Sequence, residues 1–149
     1  MKKNIVAAAA AVVISAVMIL PMSGCGEDST PSSYKDGTYT GRSADREADE
    51  DGNGAGYGEV QITVKDNKIT ECTFKTYELD GTMKDETYGA DLTKENRLKA
   101  QKAVQSADKY ADFLVKSGSL DGVDAISGAT ISYGEFKEAV NNALSKAAE

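Results

Sequence analysis

The residue types best suited to chemistry in this chain lie together at residues 124–130. Ser127 and Thr130 supply hydroxyl groups, and Gly128 and Ala129 between them keep the backbone accessible. The spacing predicts a loop that leads directly into a helix, whose N-terminus presents unpaired N–H groups and a positive dipole end. The segment therefore suits a phosphate carried on Thr130 or bound beside it, without any basic side chain. The alternative is an ordinary loop of small residues before a helix.

The same segment resembles a known modification sequence. Asp124, Ser127, Gly128, Ala129 and Thr130 match every defined position of Asp-x-x-(Ser/Thr)-Gly-Ala-(Thr/Ser), a pattern typical of FMN-binding domains. Such domains occur in the C subunit of the sodium-pumping NADH:quinone reductase, in a related membrane electron-transport complex and in flavinylated surface lipoproteins. A more diffuse resemblance to these domains covers residues 34–147.

The resemblance implies a covalent cofactor. A separate magnesium-dependent flavin transferase would use FAD as donor and leave FMN joined through a phosphoester to Oγ of Thr130. The four other matching residues would be read by that transferase, and Gly128 and Ala129 would also line the flavin phosphate. A tethered flavin passes one or two electrons. The resemblance therefore implies an electron-transfer flavoprotein, rather than a stand-alone enzyme, that shuttles electrons between a membrane donor and an extracytoplasmic acceptor, neither of them identified by the sequence.

Two other functions stay open. The chain could be a surface lipoprotein that senses a flavin or another ligand without turning over as an electron carrier. It could also be a structural or antigenic lipoprotein whose Thr130 is never modified. A yellow colour that bleaches reversibly with a membrane donor would favour the electron carrier over both.

Residues 1–24 are typical of a lipoprotein signal peptide. Two lysines precede an uncharged apolar run over residues 5–20, which is long enough for a signal peptide and short for a membrane span. Small residues then precede Cys25, which resembles a lipobox cysteine that is acylated on sulfur and becomes the new N-terminus. An uncleaved N-terminal anchor is the alternative. Both interpretations predict a protein attached to the cell membrane and facing outside the cytoplasm.

The remaining chain predicts one acidic domain. Residues 25–33 are polar and read as a lipid-anchored flexible tether, and residues 34–149 are enough for one modest domain. Removal of residues 1–24 takes away two lysines and no acids, so the net charge changes from −7 to −9. Such a surface disfavours nucleic acid as a partner. The chain has no histidine, which argues against a zinc site or a histidine-dependent hydrolase, and no metal site is predicted.

Three further features of the sequence are less specific indications of function. Residues 49–54 fit the first half of a calcium-binding loop, but Val60 stands where a bidentate glutamate is needed, so a solvated acidic loop is the favoured interpretation. Tyr57 and Tyr88 each adjoin a glycine and are the tyrosines best placed to stack on a flavin ring. Cys72 has no intramolecular partner if Cys25 is lipidated, and it is expected to behave as a small buried hydrophobe.

The periodicity predicts an α+β fold, a small antiparallel sheet with two C-terminal helices packed on it. Residues 37–42 form a strand candidate, and residues 57–65 and 68–77 form a hairpin in which either a bulge lies near Ile69 or Ile69 precedes the paired region. Residues 78–91 are ambiguous, with one more short strand as an option. Thr93 and Gly118 are expected to cap the first helix, and a capping box from Ser132 to Glu135 is expected to open the second. Each helix has an apolar stripe at helical spacing that is expected to be buried against the sheet, and the charged residues of the first helix, Lys99 and Lys102 among them, occupy its other face. The stripe of the first helix comprises Ala100, Ala103, Val104, Ala107, Tyr110, Ala111, Leu114 and Val115, and that of the second comprises Phe136, Ala139, Val140, Ala143, Leu144 and Ala147.

Overall fold

The computed structural model describes residues 33–148 of the chain. Within them, the strands β1 (Gly37–Arg42), β2 (Tyr57–Lys65) and β3 (Lys68–Tyr77) form an antiparallel sheet in the order β1-β2-β3. The helix α1 (Lys94–Ser117), a short 3-10 turn (Leu120–Gly122) and the helix α2 (Thr130–Ala147) follow. The predicted α+β class is therefore confirmed. The signal peptide, Cys25 and residues 26–32 of the predicted tether lie outside the described residues.

The hairpin of β2 and β3 follows the sequence pattern closely. Val60, Ile62 and Val64 alternate onto the buried face of the sheet. The turn residues Asp66 and Asn67 both have positive φ angles, 51° and 59°, as a tight hairpin turn requires. The pairing register shifts between Thr63 and Val64, which confirms the predicted bulge.

Residues 78–91 form turns, so the strand considered for this segment is absent. Its extended pairing is limited to an isolated bridge between Tyr77 and Met83. The reason lies in local side-chain bonds. The carboxylates of Asp80 and Asp85 accept hydrogen bonds from the backbone N–H groups two residues further on, each at 2.8 Å. Such bonds favour turns over a sheet ladder.

Both predicted caps of α1 are confirmed. Oγ1 of Thr93 accepts a hydrogen bond from the backbone N–H of Asn96, and Gly118 ends the helix with a φ of 76° in the left-handed region. Only the C-terminal half of the predicted apolar stripe is buried. Its N-terminal residues Ala100, Ala103 and Val104 are half-buried and line a cavity instead.

The helix α2 packs tightly across β1 and β2. Its whole predicted apolar stripe is buried: Phe136, Ala139, Val140, Ala143, Leu144 and Ala147. Gly41 of β1 allows this close approach, because a Cβ atom there would lie 1.9 Å from the carbonyl oxygen of Ala139. Within residues 33–148, neither helix combines the length and the apolar character that a membrane span requires.

Cys72 is a free thiol, but it is half-buried against the core rather than fully buried as expected. Burial raises the pKa of the Cys72 thiol to about 12, so almost no thiolate is present at neutral pH.

In a Cys25→Ser variant, which leaves Cys72 as the remaining thiol, we expect alkylation at pH 7.5 to be at least about tenfold slower in the folded protein than in urea. Mass spectrometry of timed samples measures the two rates. Equal rates would contradict the burial of the thiol.

Candidate functional site

The helix α2 begins at Thr130, so it starts three residues earlier than a helix with Ser132 as its N-cap would. Ala129, with a φ of −135°, is the N-cap and provides no side-chain bond. The predicted capping box is therefore wrong. Ser132 and Glu135 lie inside the first turns of the helix and are both buried. Glu135 faces cations from other parts of the chain instead of returning to the helix N-terminus. Thr130 stands at the first helical position, where backbone N–H groups lack helical partners.

Two tyrosines hold the loop that precedes Thr130. The buried hydroxyl of Tyr110 accepts a hydrogen bond from the backbone N–H of Ile126 at 2.9 Å and donates one to the carbonyl of Ala129 at 3.0 Å. Tyr133 donates to the carbonyl of Val123 at 2.6 Å. The sequence pattern places Tyr110 in the apolar stripe of α1 and does not predict this role. The available signal was a hydroxyl in an otherwise aliphatic stripe, since a buried tyrosine hydroxyl usually needs a partner.

A cavity of about 450 Å³ opens between this loop, the first half of α1 and the loops beside the sheet. Gly128, Ala129 and Thr130 line it. Asp124 and Ser127 are exposed and do not line it. The predicted motif therefore has two parts. Gly128, Ala129 and Thr130 face the cavity, whereas Asp124 and Ser127 face solvent, where a second protein can reach them.

Basic side chains lie beside the motif as well as the helix N-terminus. Gly128 has a φ of 78°, which favours glycine, and a Cβ atom there would lie 3.0 Å from Nζ of Lys102. Lys99 lines the cavity one helical turn earlier. Both lysines are exposed on the polar face of α1, as predicted, but the sequence does not indicate that this face lies beside the motif. Their positive charge would favour a phosphate near Thr130, in addition to the dipole of α2.

The opposite part of the cavity is charged. Oε1 of Glu135 lies 3.5 Å from Nε of Arg46, and Lys84 adds a second cation near this pair. Burial raises the pKa of the Glu135 carboxyl, an effect that the charges of Lys84 and Arg46 oppose. Burial likewise lowers the pKa of Lys84. Apolar residues of α1, Ala100, Ala103 and Val104, line the cavity together with these charged groups.

The two tyrosines singled out for ring stacking have different surroundings. Tyr88 lines the cavity, and the ammonium of Lys84 lies 4.9 Å from its ring centre. Tyr57 does not line it. Its ring instead stacks on Tyr77, with 5.3 Å between the ring centres, and is covered by the guanidinium of Arg42. Tyr88 therefore remains the stacking candidate.

The acidic segment 49–54 is organised by its own hydrogen bonds. The carboxylate of Asp49 accepts bonds from the backbone N–H and the side-chain amide of Asn53, at 2.9 and 2.8 Å. Across residues 33–148, no group of three or more cysteine, aspartate or glutamate side chains is arranged to hold a metal ion. The segment forms one rim of the cavity, through Asp49, Asp51 and Gly52 among others.

Comparison with known proteins decides which family this fold and cavity represent. The sequence profile described as FMN-binding domain matches residues 54–145, more than half of the chain. The chain belongs to the FMN-binding domain family. A crystal structure of the CPE2226 protein from Clostridium perfringens is similar, with 28% sequence identity and a TM-score of 0.57 over 76% of this chain and 88% of that one. No curated protein matches the chain.

The groups in and beside the cavity suit the different parts of an FMN molecule. The start of α2 and the two nearby lysines suit the phosphate. The apolar residues of α1 suit the face of the isoalloxazine ring, and the charged cluster suits its polar edge. Nε of Arg46 and Oε1 of Glu135 are enclosed and have no hydrogen-bond partner among the described residues, so the cavity has unused polar groups for a ligand. The protein is therefore a flavoprotein.

Proposed function

We propose that Thr130 carries the FMN covalently, through a phosphoester at its Oγ. The observation that carries this proposal is the position of Thr130, exposed, at the first turn of α2 and in the wall of the cavity of an FMN-binding domain. A flavin transferase acting on FAD would make the bond. Oγ of Thr130 attacks the phosphorus on the FMN side of FAD, the pyrophosphate bond breaks, AMP leaves, and Oγ loses its proton.

The chain's own residues prepare this site and hold its product. Tyr110 and Tyr133 fix the loop that presents Thr130. The exposed Asp124 and Ser127 are available for recognition by the transferase. Once the bond is made, the N–H groups of the first turn and the ammonium of Lys102 stabilise the phosphate, which keeps one negative charge as a diester.

We further propose that the flavoprotein is a lipid-anchored electron carrier outside the cytoplasm. The lipobox-like segment ending at Cys25 supports a palmitoyl-type anchor and membrane attachment. A covalent tether suits this location, because a dissociated cofactor would be lost from the cell. The bound flavin supplies one- and two-electron chemistry, which allows transfer between a membrane donor and an extracytoplasmic acceptor.

The intact mass of the protein extracted from its own membrane tests both modifications at once. We expect a polypeptide that begins at Cys25, with its acyl groups and with the mass of one FMN less one water. The flavin increment should persist after denaturation, since a phosphoester survives unfolding. Protein from its own host that never carries this increment would contradict the covalent proposal, and an N-terminus at Met1 would contradict the lipoprotein proposal.

A further inference from the structure

A carboxylate and a guanidinium in the cavity wall have hydrogen-bonding capacity that the described residues do not use. Glu135 is only 8% exposed, and its Oε1 lies 3.5 Å from Nε of Arg46 without hydrogen-bond geometry. Neither atom has a hydrogen-bond partner within residues 33–148. Buried polar atoms in folded proteins nearly always have partners, and a buried charge without full hydrogen bonding is costly. Such a pair, lining a cavity, indicates a polar ligand group.

The cations of this cluster are held in fixed positions by backbone carbonyls. The two terminal nitrogens of Arg46 donate to the carbonyls of Glu47 and Gly54, which leaves Nε directed at Glu135. Nζ of Lys84 donates to the carbonyl of Ala55 at 2.7 Å. A side chain at Gly56 would disturb this arrangement, because its Cβ atom would lie 2.1 Å from the backbone carbonyl oxygen of Tyr77 and 2.4 Å from Nζ of Lys84. The glycine-rich segment 54–56 thus builds the cluster.

We propose that Glu135 and Arg46, with Lys84 beside them, recognise the polar pyrimidine edge of the flavin ring. That edge presents one N–H donor between two carbonyl acceptors. A carboxylate next to two cations is complementary to it, because Glu135 can accept from the N–H while the cations donate to the carbonyls. This inference rests on the proposed attachment of FMN at Thr130.

The placement of Glu135 agrees with this arrangement. Glu135 follows Thr130 by five residues on α2, a rise of about 7.5 Å along the helix axis, which leaves room for the ribityl chain between phosphate and ring. Glu135 lies within residues 54–145, the part of the chain that matches the FMN-binding domain profile, whereas Arg46 lies before it. Their ion pair therefore joins the matched part of the chain to the part that precedes it.

The cluster should control how easily the flavin is reduced. Reduction of a flavin adds negative charge to its pyrimidine edge, which nearby cations favour and a nearby carboxylate disfavours. Replacement of Glu135 by glutamine should therefore raise the midpoint potential, and replacement of Arg46 by glutamine should lower it. Shifts of opposite sign are specific to electrostatic contact with the ring, since a pair that only supported the fold would give both variants the same effect.

The first experiment measures midpoint potentials of the flavin-loaded full chain by spectroelectrochemistry. The variants are Glu135→Gln and Arg46→Gln, and the matched controls are Glu138→Gln on the exposed side of α2 and Arg97→Gln on α1. We expect opposite shifts for the two cavity variants and the wild-type potential for both controls. Unshifted potentials in the cavity variants, or shifts of the same sign, would overturn the proposal.

The second experiment needs no covalent bond and so separates this inference from the proposed function. A Thr130→Ala chain is titrated with riboflavin, which lacks the phosphate, by equilibrium dialysis. Adding Glu135→Leu should weaken binding about tenfold or more, while adding Glu138→Leu should leave it unchanged. Equal affinities, or no riboflavin binding by Thr130→Ala itself, would refute the ring contact. A wild-type chain without the flavin mass increment would instead refute only the attachment at Thr130.

Discussion

A Thr130→Ala variant should carry no covalent flavin at all. The proposed bond needs the threonine oxygen as nucleophile, and alanine has no atom that can replace it. The substitution should leave the fold intact, because Thr130 is exposed and alanine is a good residue for the first turn of a helix. Co-expression with the flavin transferase, followed by intact mass measurement of the denatured protein, gives the result.

Two variants serve as controls for this experiment. Thr130→Ser keeps a hydroxyl at the same helix position and should still gain the mass of one FMN less one water. Ser127→Ala removes the other exposed hydroxyl of the motif, which does not line the cavity, and should also keep flavin on Thr130, although at a lower rate. A Thr130→Ala protein that retains the added mass would place the attachment elsewhere, and a peptide digest would locate it.

The sheet and both ends of α1 could be predicted from the sequence because their causes are local. The alternation of Val60, Ile62 and Val64 marks the buried face of β2, and Asp66-Asn67 supplies the turn that closes the hairpin. Thr93 likewise caps α1 through a hydroxyl three residues from its partner. In each case the determining contacts lie within a few residues of one another.

The start of α2 could not be predicted in this way, because the same local sequence pattern is compatible with a capping box and with a long-range ion pair. Ser132 and Glu135 have the spacing of a capping box, but Glu135 is used instead by Arg46, which lies 89 positions earlier in the chain. An ion pair across that separation leaves no mark in the local periodicity. The capping-box prediction therefore gave the carboxylate of Glu135 the wrong partner, the N-terminus of α2 instead of Arg46.

The cavity was hidden for a related reason. A half-exposed alanine looks the same in sequence whether its neighbour is a protein core or a ligand, so Ala100 and Ala103 were assigned to the core. The pattern of charges on α1 correctly places Lys102 in solvent, but it does not indicate that the ammonium of Lys102 lies beside Gly128 of the motif. The sequence motif alone identified Thr130. The residues that surround it could be identified only from the packing of α1 against the motif loop.

A Tyr110→Phe variant should lose both stability and flavin attachment. Removing the hydroxyl leaves the N–H of Ile126 without its acceptor, at a cost of about 1–3 kcal/mol, whereas the carbonyl of Ala129 keeps its bond from the backbone N–H of Tyr133. The ring contacts of Tyr110 with Phe136 and Tyr133 are kept by phenylalanine, so the loss reports on the hydroxyl. Urea unfolding measures the first effect, and the rate of flavin incorporation by the transferase measures the second.

Tyr133→Phe is the matched control, because it removes one hydrogen bond, to Val123, from a less buried ring. We expect its free energy of unfolding to fall by less, about 0.5–1.5 kcal/mol, and its flavin incorporation to be slowed less. If Tyr110→Phe is as stable as Tyr133→Phe, the two bonds of Tyr110 do not support the loop. If it is less stable but accepts flavin at the wild-type rate, the transferase does not need the loop in the conformation that Tyr110 holds, and recognition depends on the motif residues alone.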